Sequence, residues 1–224
     1  MTDDAGGDRK SRAASPELIL DREEQARREV ANGLRQFDAV VQLVEQVRAE
    51  KRPFKLRLST ILSLHRLALE GISGFAGNFR PAGVEIGGSQ HAPAGAHLVP
   101  ELVEGLCDYV NDNWASASAI HLSAYVMWRI NWIHPFDDGN GRTSRAASYL
   151  VLCMKMGTLL PGTKTIPDQI AANKQPYYKA LEAADAAWRD DEKVDVSALE
   201  ALLADMLAAQ LLSVVEQATG SSLS

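Results

Sequence analysis

Residues 117–133 read ASAIHLSAYVMWRINWI. Ile120, Leu122, Tyr125, Val126, Met127, Trp128, Ile130 and Trp132 leave this stretch nearly apolar all round. A helix of that kind has no face to give to water, so it belongs at the enclosed centre of a bundle. The segments on either side supply the enclosure. Residues 56–69 form a helical pattern with Ile61, Leu62, Leu64 and Leu67 inward, and residues 100–114 line Leu102, Leu106 and Val110 on one face. After 117–133 comes a loop with Gly139 and Gly141, then a helix through Met156 that Gly157 and Pro161 end. Residues 166–188 follow, then a charged connector at 189–195. A last stripe runs through Leu199, Leu202, Leu203, Met206, Leu207, Leu211 and Val214, most simply as core packing.

Upstream, residues 21–50 are charged but carry Val30, Leu34, Phe37, Val41, Leu43 and Val44 at helical spacings, with Ser15 and Pro16 as a cap and first-turn pair. Residues 1–15 are polar and aperiodic, as a mobile tail would be. Between Gly71 and Pro100 the helical period is lost, and Val84 and Ile86 alternate around Glu85 in the one β-like run. The expectation is a mostly α domain with a small β-hairpin flap. It divides into a tail (1–15), an N-terminal helical segment (16–54), a central domain (55–188) and a C-terminal helix (189–224).

The chain has 224 residues, 46% hydrophobic and 23% charged, which excludes wholesale disorder and coiled coil. Lys155 and Asp205 interrupt the longest apolar runs short of the roughly 20 residues a membrane helix needs. The N-terminus lacks the apolar core of a secretory signal, so a cytoplasmic protein with no membrane contact is expected. Cys107 and Cys153 lie in apolar helical contexts and read as buried thiols. The net charge of −6 disfavours nucleic acid as a partner, while leaving room for a local basic pocket.

That pocket is legible at residues 134–145, HPFDDGNGRTSR. His134 ends the buried helix, and imidazole is the side chain suited to accept a proton near neutrality. Asp137 and Asp138 point different ways, so one carboxylate faces the site and the other is a solvated loop group. Gly139, Asn140 and Gly141 permit a turn whose amides converge as an anion nest, reinforced by the N-terminus of the next helix. Arg142 and Arg145 share one face of that first turn, where they oppose the helix dipole unless a polyanion is bound. Base, carboxylate, nest and paired arginines describe a site for a nucleotide with Mg²⁺. It is not a Walker A loop, because no GxxxxGK(S/T) follows a strand.

These twelve residues match the motif HPFx(D/E)GNxRxxR at every specified position, and the chain thereby resembles the Fic (Fic/Doc) family. The stretches 65-HRLALEGISGFAGNFR, 84-VEIGG and 176-PYYKALEAAD resemble the family's flanking features. The resemblance implies a Fic-type helical bundle and a protein adenylyltransferase that moves AMP from ATP to a Ser, Thr or Tyr hydroxyl of a target protein. It implies His134 as general base and Asp138 as the Mg²⁺ ligand. Gly139, Asn140 and Gly141 would cradle the α- and β-phosphates, Arg142 and Arg145 would hold the outer ones, and Phe136 would anchor the loop. Val84, Glu85, Ile86, Gly87 and Gly88 would bind the target as an added strand. Tyr177 and Tyr178 are either core packing or, as the family implies, a wall beside the base. His65, His91, His97 and His121 have no motif support, and His121 reads as a hydrogen-bonded core residue.

Doc-type members, which transfer the γ-phosphate, carry Ala-Asn-Lys where this chain has Gly139-Asn140-Gly141, which favours adenylylation. Transfer of another phosphate-containing group stays open. So does a non-catalytic or autoinhibited module that binds nucleotide or partner without turnover. The inhibitory pattern (S/T)xxxE(G/N) is not intact: Glu29 with Asn32 and Gly33 is a loose echo. Inhibition is therefore absent, degenerate or supplied by a separate small antitoxin protein, and a homo-oligomer stays open as well.

Overall fold

The computed structural model describes residues 11–12, 18, 21–87, 89 and 91–219. The proposed cap at Ser15 and Pro16, most of the tail, and Gly88 lie outside these residues. Among the described residues, eight α-helices follow in chain order: α1 (Arg22–Glu50), α2 (Leu58–Leu69), α3 (Val99–Asp112), α4 (Ala119–Ile133), α5 (Asn140–Met156), α6 (Ile166–Ala172), α7 (Gln175–Asp191) and α8 (Ser197–Thr219).

The apolar stretch at 117–133 becomes α4, the enclosed centre. Ser118 caps it by accepting from the His121 amide at 3.0 Å. α4 and α5 form the most extensive helix pair, and Ser123 and Ser148 let them approach closely. Each serine hydroxyl donates to the other's carbonyl, at 3.1 and 2.9 Å, so the small polar groups are satisfied inside the core. α3, α7 and α8 close the remaining sides of α4, while α1 and α2 cover α5. Trp128 is fully buried and donates its indole N–H to Asp185 of α7 at 2.9 Å. Cys107 and Cys153 are free and buried, and burial pushes the Cys107 thiol up to about 12.

Four expectations change. The flap is not a hairpin: Glu85–Ile86 (β2) is two residues long and pairs antiparallel with Ser11–Arg12 (β1), not with a neighbouring strand of its own. The run between Gly83 and Gly87 is too short and too glycine-rich to offset the entropy cost of an isolated hairpin.

α1 starts at Arg22 behind the cap Asp21, and it does not bury the stripe with Val30 and Leu34, which are exposed at 67% and 65%. It turns Asn32 and Gln36 inward instead. Asn32 donates to the Ala68 and Glu70 carbonyls, satisfying groups at the C-terminal end of α2, and Gln36 adds a bond to the Leu64 carbonyl within it. Residues 166–188 are split into α6 and α7, and α7 absorbs the start of the charged connector.

α8, finally, is long and apolar enough by length and composition to cross a membrane, despite Asp205. It packs on α4, α6 and α7 through Leu199 and Leu203. Its second half turns Gln210 inward, where the amide donates to the Tyr149 hydroxyl and the Leu160 carbonyl and accepts from the Ile166 amide.

Candidate functional site

The site is the turn between α4 and α5. α4 terminates at His134, a non-glycine residue in the left-handed region (φ 51°), whose amide donates to the Ile130 carbonyl at 2.9 Å. The left-handed cap reverses the chain and leaves the imidazole inside, 4% exposed. Nδ1 lies 3.3 Å from the Asn131 carbonyl. A carbonyl only accepts, so Nδ1 carries the proton and Nε2 the lone pair. Burial lowers the His134 pKa to about 4, partly offset by that carbonyl and reinforced by the nearby charge of Arg80. The ring is a neutral base throughout the physiological range.

Below it, Phe136 is wholly buried between His65 (ring centroids 3.7 Å, nearly parallel) and Phe79 (6.0 Å), so it anchors the loop as expected. The Asn140 side chain fixes Phe136 from the other side, accepting from its amide at 3.0 Å and donating to its carbonyl at 2.9 Å. The side chain of Asn140 is thus occupied by the loop, and only its backbone is left for a phosphate. Gly139 (φ 75°) is required twice over. A Cβ there would stand 2.3 Å from Leu69 Cδ2, and the backbone angle disfavours any L side chain. Gly139 also serves as the N-cap of α5 without a side chain, so no cap bond covers the first amides of the helix.

The two aspartates are sorted by burial. Asp137 is buried, contrary to the solvated role expected of it; one of its carboxylate oxygens accepts from the Asp138 amide at 3.0 Å and the other from the Ser73 hydroxyl at 3.4 Å. Asp138 is half-exposed, and accepts from the Gly139 amide at 2.6 Å and from Arg142 Nη2 at 2.7 Å. Arg142 Nη1 is buried without a hydrogen bond, and Glu29 Oε1 of α1 lies 3.5 Å from it. Arg145 is buried one turn on, with Nη1 at 3.2 Å from where a Gly141 side chain would start.

The arrangement fits a nucleotide polyphosphate. Uncapped helix amides, a buried guanidinium nitrogen without a hydrogen bond and a glycine that keeps Arg145 in reach all favour an anion. Among the described residues no cluster of three or more metal-ligating side chains occurs. Mg²⁺ needs only one or two carboxylates when phosphates and water complete its shell, so half-exposed Asp138 suits it.

Tyr177 is buried, with its hydroxyl accepting from Asn131 at 2.8 Å and lying 3.4 Å from that of Ser144. Its ring packs in the core, and the half-buried Tyr178 is the one of the pair able to meet a base. In the flap, Val84 and Ile86 are half-buried, while Glu85 and Gly87 face solvent. His121 is half-buried and bridges the Tyr109 hydroxyl (2.9 Å) and Glu200 (2.6 Å).

His65 is the residue that motif reasoning missed. It is fully buried, its Nδ1 accepts from the Gly77 amide at 3.0 Å, and its Nε2 donates to the Asp138 carbonyl at 3.0 Å. Burial lowers its pKa to about 4. The signal lay in 65-HRLALEGISGFAGNFR, whose histidine falls on the buried face of α2 in helical step with Ile61, Leu64 and Ala68.

The Fic/DOC family profile matches residues 55–152, a span that holds the whole turn, His65 and the flap. The chain carries a Fic/DOC-family domain. Among curated relatives, it is 34% identical over 93 residues to Protein adenylyltransferase Fic of Drosophila willistoni, covering 41% of this chain and 18% of the relative. It is 30% identical over 151 residues to the protein of the same name in Aedes aegypti, covering 66% and 28%. The chain therefore spans less than a third of these relatives. Solved structures of the same fold include Fic-1 (residues 134 to 508) of Caenorhabditis elegans, at 21% identity and a TM-score of 0.67, covering 91% of this chain and 55% of that one. A Fic domain-containing signaling protein from Bacteroides thetaiotaomicron superposes with a TM-score of 0.65 at 20% identity, covering 86% and 74%. The Fic turn is thus held by α2 and α4 on one side and presented at the start of α5.

Proposed function

We propose that this Fic domain is a protein adenylyltransferase that transfers AMP from ATP to a Ser, Thr or Tyr hydroxyl of a target protein. The observation that carries the reading is the juxtaposition of a neutral, buried imidazole with an uncapped helix start flanked by two arginines. The target hydroxyl oxygen bonds to the α-phosphorus of ATP, its proton passes to Nε2 of His134, and the bond to the pyrophosphate breaks. Amides of Gly141 and Arg142 face the phosphates, and the Arg142 and Arg145 guanidinium groups balance the charge of the departing pyrophosphate. Asp138 would hold Mg²⁺, which when bound neutralises phosphate charge and keeps the leaving group in line. Tyr178 would flank the base.

The target would be presented along Val84, Glu85, Ile86 and Gly87 by main-chain pairing. Glu85–Ile86 is paired with Ser11–Arg12, so an incoming strand on that edge would exchange with β1. Glu29, at 3.5 Å from Arg142, supports a second feature of the reading, a resting form restrained from within the chain. A carboxylate there competes with the outer phosphates for the same guanidinium. A cytoplasmic site of action fits the two unpaired, buried cysteines.

Intact-protein mass spectrometry after incubation with ATP, Mg²⁺ and cell lysate tests the proposal. An AMP-sized increment on the protein or on a lysate component is expected, and it should vanish in His134→Ala and Arg145→Ala. No increment anywhere for wild type and Glu29→Gly alike, with ATP bound, would leave a nucleotide-binding module without turnover.

A further inference from the structure

Arg80 lies outside the twelve-residue motif, at the foot of the flap, and is 3% exposed. Its guanidinium makes three bonds to three separate stretches of backbone. Nε donates to the His134 carbonyl at 2.8 Å, Nη1 to that of Ala82 at 2.8 Å, and Nη2 to that of Ala94. Its own amide donates to the Pro135 carbonyl at 2.9 Å. Ala82 and Ala94 bracket the flap residues 83–93, so one planar group ties both feet of the flap to the residue that carries the base.

We propose that Arg80 is the positioning residue that sets the distance between the target-presenting flap and His134. The proposal rests on the adenylyltransferase reading for its functional consequence, but the clasp itself is a property of the fold. His134 occupies the left-handed region without being glycine, a conformation that persists only where its surroundings over-determine it. The bond from Arg80 Nε, together with the Arg80 amide bond to Pro135, pins the carbonyl side of that strained residue. Among the described flap residues the only regular structure is the two-residue β2, paired with β1, and His91 contacts the Trp132 carbonyl at 2.6 Å, so the two feet at Ala82 and Ala94 set the rest of its placement. A guanidinium supplies donors in a fixed plane, which an ammonium cannot, so the three carbonyls are held in one relative arrangement. A general base gains its effect only when the hydroxyl it deprotonates is held within hydrogen-bond reach, and a misplacement near 1 Å costs about a hundredfold in rate.

The test compares wild type with R80K and R80Q by amide hydrogen exchange and by steady-state transfer to an identified target. In R80K, exchange across residues 83–93 should accelerate by about tenfold or more while α4 and α5 amides keep their protection. The kcat for transfer should fall between about tenfold and a hundredfold, with the KM for ATP within about twofold. R80Q should give the same pattern with a larger loss. Unchanged flap exchange in R80K would overturn the proposal. So would a uniform loss of protection over the whole domain, which would make Arg80 a general stabiliser, and so would an equal loss of ATP affinity and kcat. If both variants fail to fold, the wild-type Arg80 Nε–H signal decides: the clasp requires it to exchange as slowly as the α4 amides, and rapid exchange would refute it. If wild type transfers no AMP, the exchange measurements still decide whether the clasp exists, while the adenylyltransferase reading fails separately.

Discussion

Acid should destabilise this domain in a window set by two histidines. His65 and His134 are both buried as neutral rings, with pKa values lowered from 6.5 to about 4. The unfolded chain takes up their protons as pH falls through 6.5, whereas the folded chain resists until about 4. The stability they contribute is therefore complete above pH 6.5, is lost between 6.5 and 4, and changes no further below. For one such group the loss at pH 5 is about 2 kcal/mol, hence about 4 kcal/mol for the pair. Against a total stability of about 5–15 kcal/mol for a domain, that is a large share. Urea unfolding followed by tryptophan fluorescence reads it directly. With an m-value of about 2–3 kcal/mol per molar, the midpoint should drop by roughly 1.5–2 M between pH 7.5 and pH 5. His65→Gln can still donate to the Asp138 carbonyl but cannot titrate. It should be less stable than wild type at pH 7.5, yet its drop between the two pH values should be halved. Equal drops in the variant and wild type would refute the claim that His65 is buried neutral.

Other expectations follow from single contacts. Gly139→Ala should cost about 2–5 kcal/mol, from the unfavourable φ and the 2.3 Å approach to Leu69. In a double-mutant cycle by urea denaturation, Leu69→Ala should recover about 1–2 kcal/mol of that loss, and simple additivity would show that the clash is not with Leu69. Glu29→Gln removes a half-exposed charge pair worth about 0.2–1 kcal/mol, so titration calorimetry should find ATP–Mg²⁺ binding tightened by at most about fivefold. A change of a hundredfold would mean that Glu29 blocks the site by more than its pairing with Arg142. His134→Asn should lower transfer kcat by about a hundredfold or more while leaving the ATP dissociation constant within about twofold, and a parallel loss of both would remove His134 from the role of base.

The candidate turn was legible in the sequence because its requirements are local. A base at a helix end, glycines in the turn and arginines one helical step apart lie within twelve consecutive residues, and chain geometry alone brings them together. The central position of α4 was legible for a similar reason, since a helix apolar on every side has one place to go. What the sequence did not determine was every pairing across the chain. Asp137 and Asp138 are identical in type and adjacent, and only the presence of Ser73 and Arg142 decides which is buried and which stands half-exposed beside the arginine. Val30 and Leu34 had the spacing of an inward face, but α1 rotates to put Asn32 and Gln36 against α2, where Asn32 supplies donors to the buried Ala68 carbonyl and to that of Glu70 at the helix end. His65 and Arg80 open and close the stretch 65–80, but nothing in its local pattern assigns either residue a partner. Their roles come from carbonyls and rings that tertiary folding places beside them: Phe136 and Asp138 for the histidine, His134, Ala82 and Ala94 for the arginine. Short-range pattern thus determined which side chains the turn brings together, and long-range hydrogen bonding decided how that turn is held.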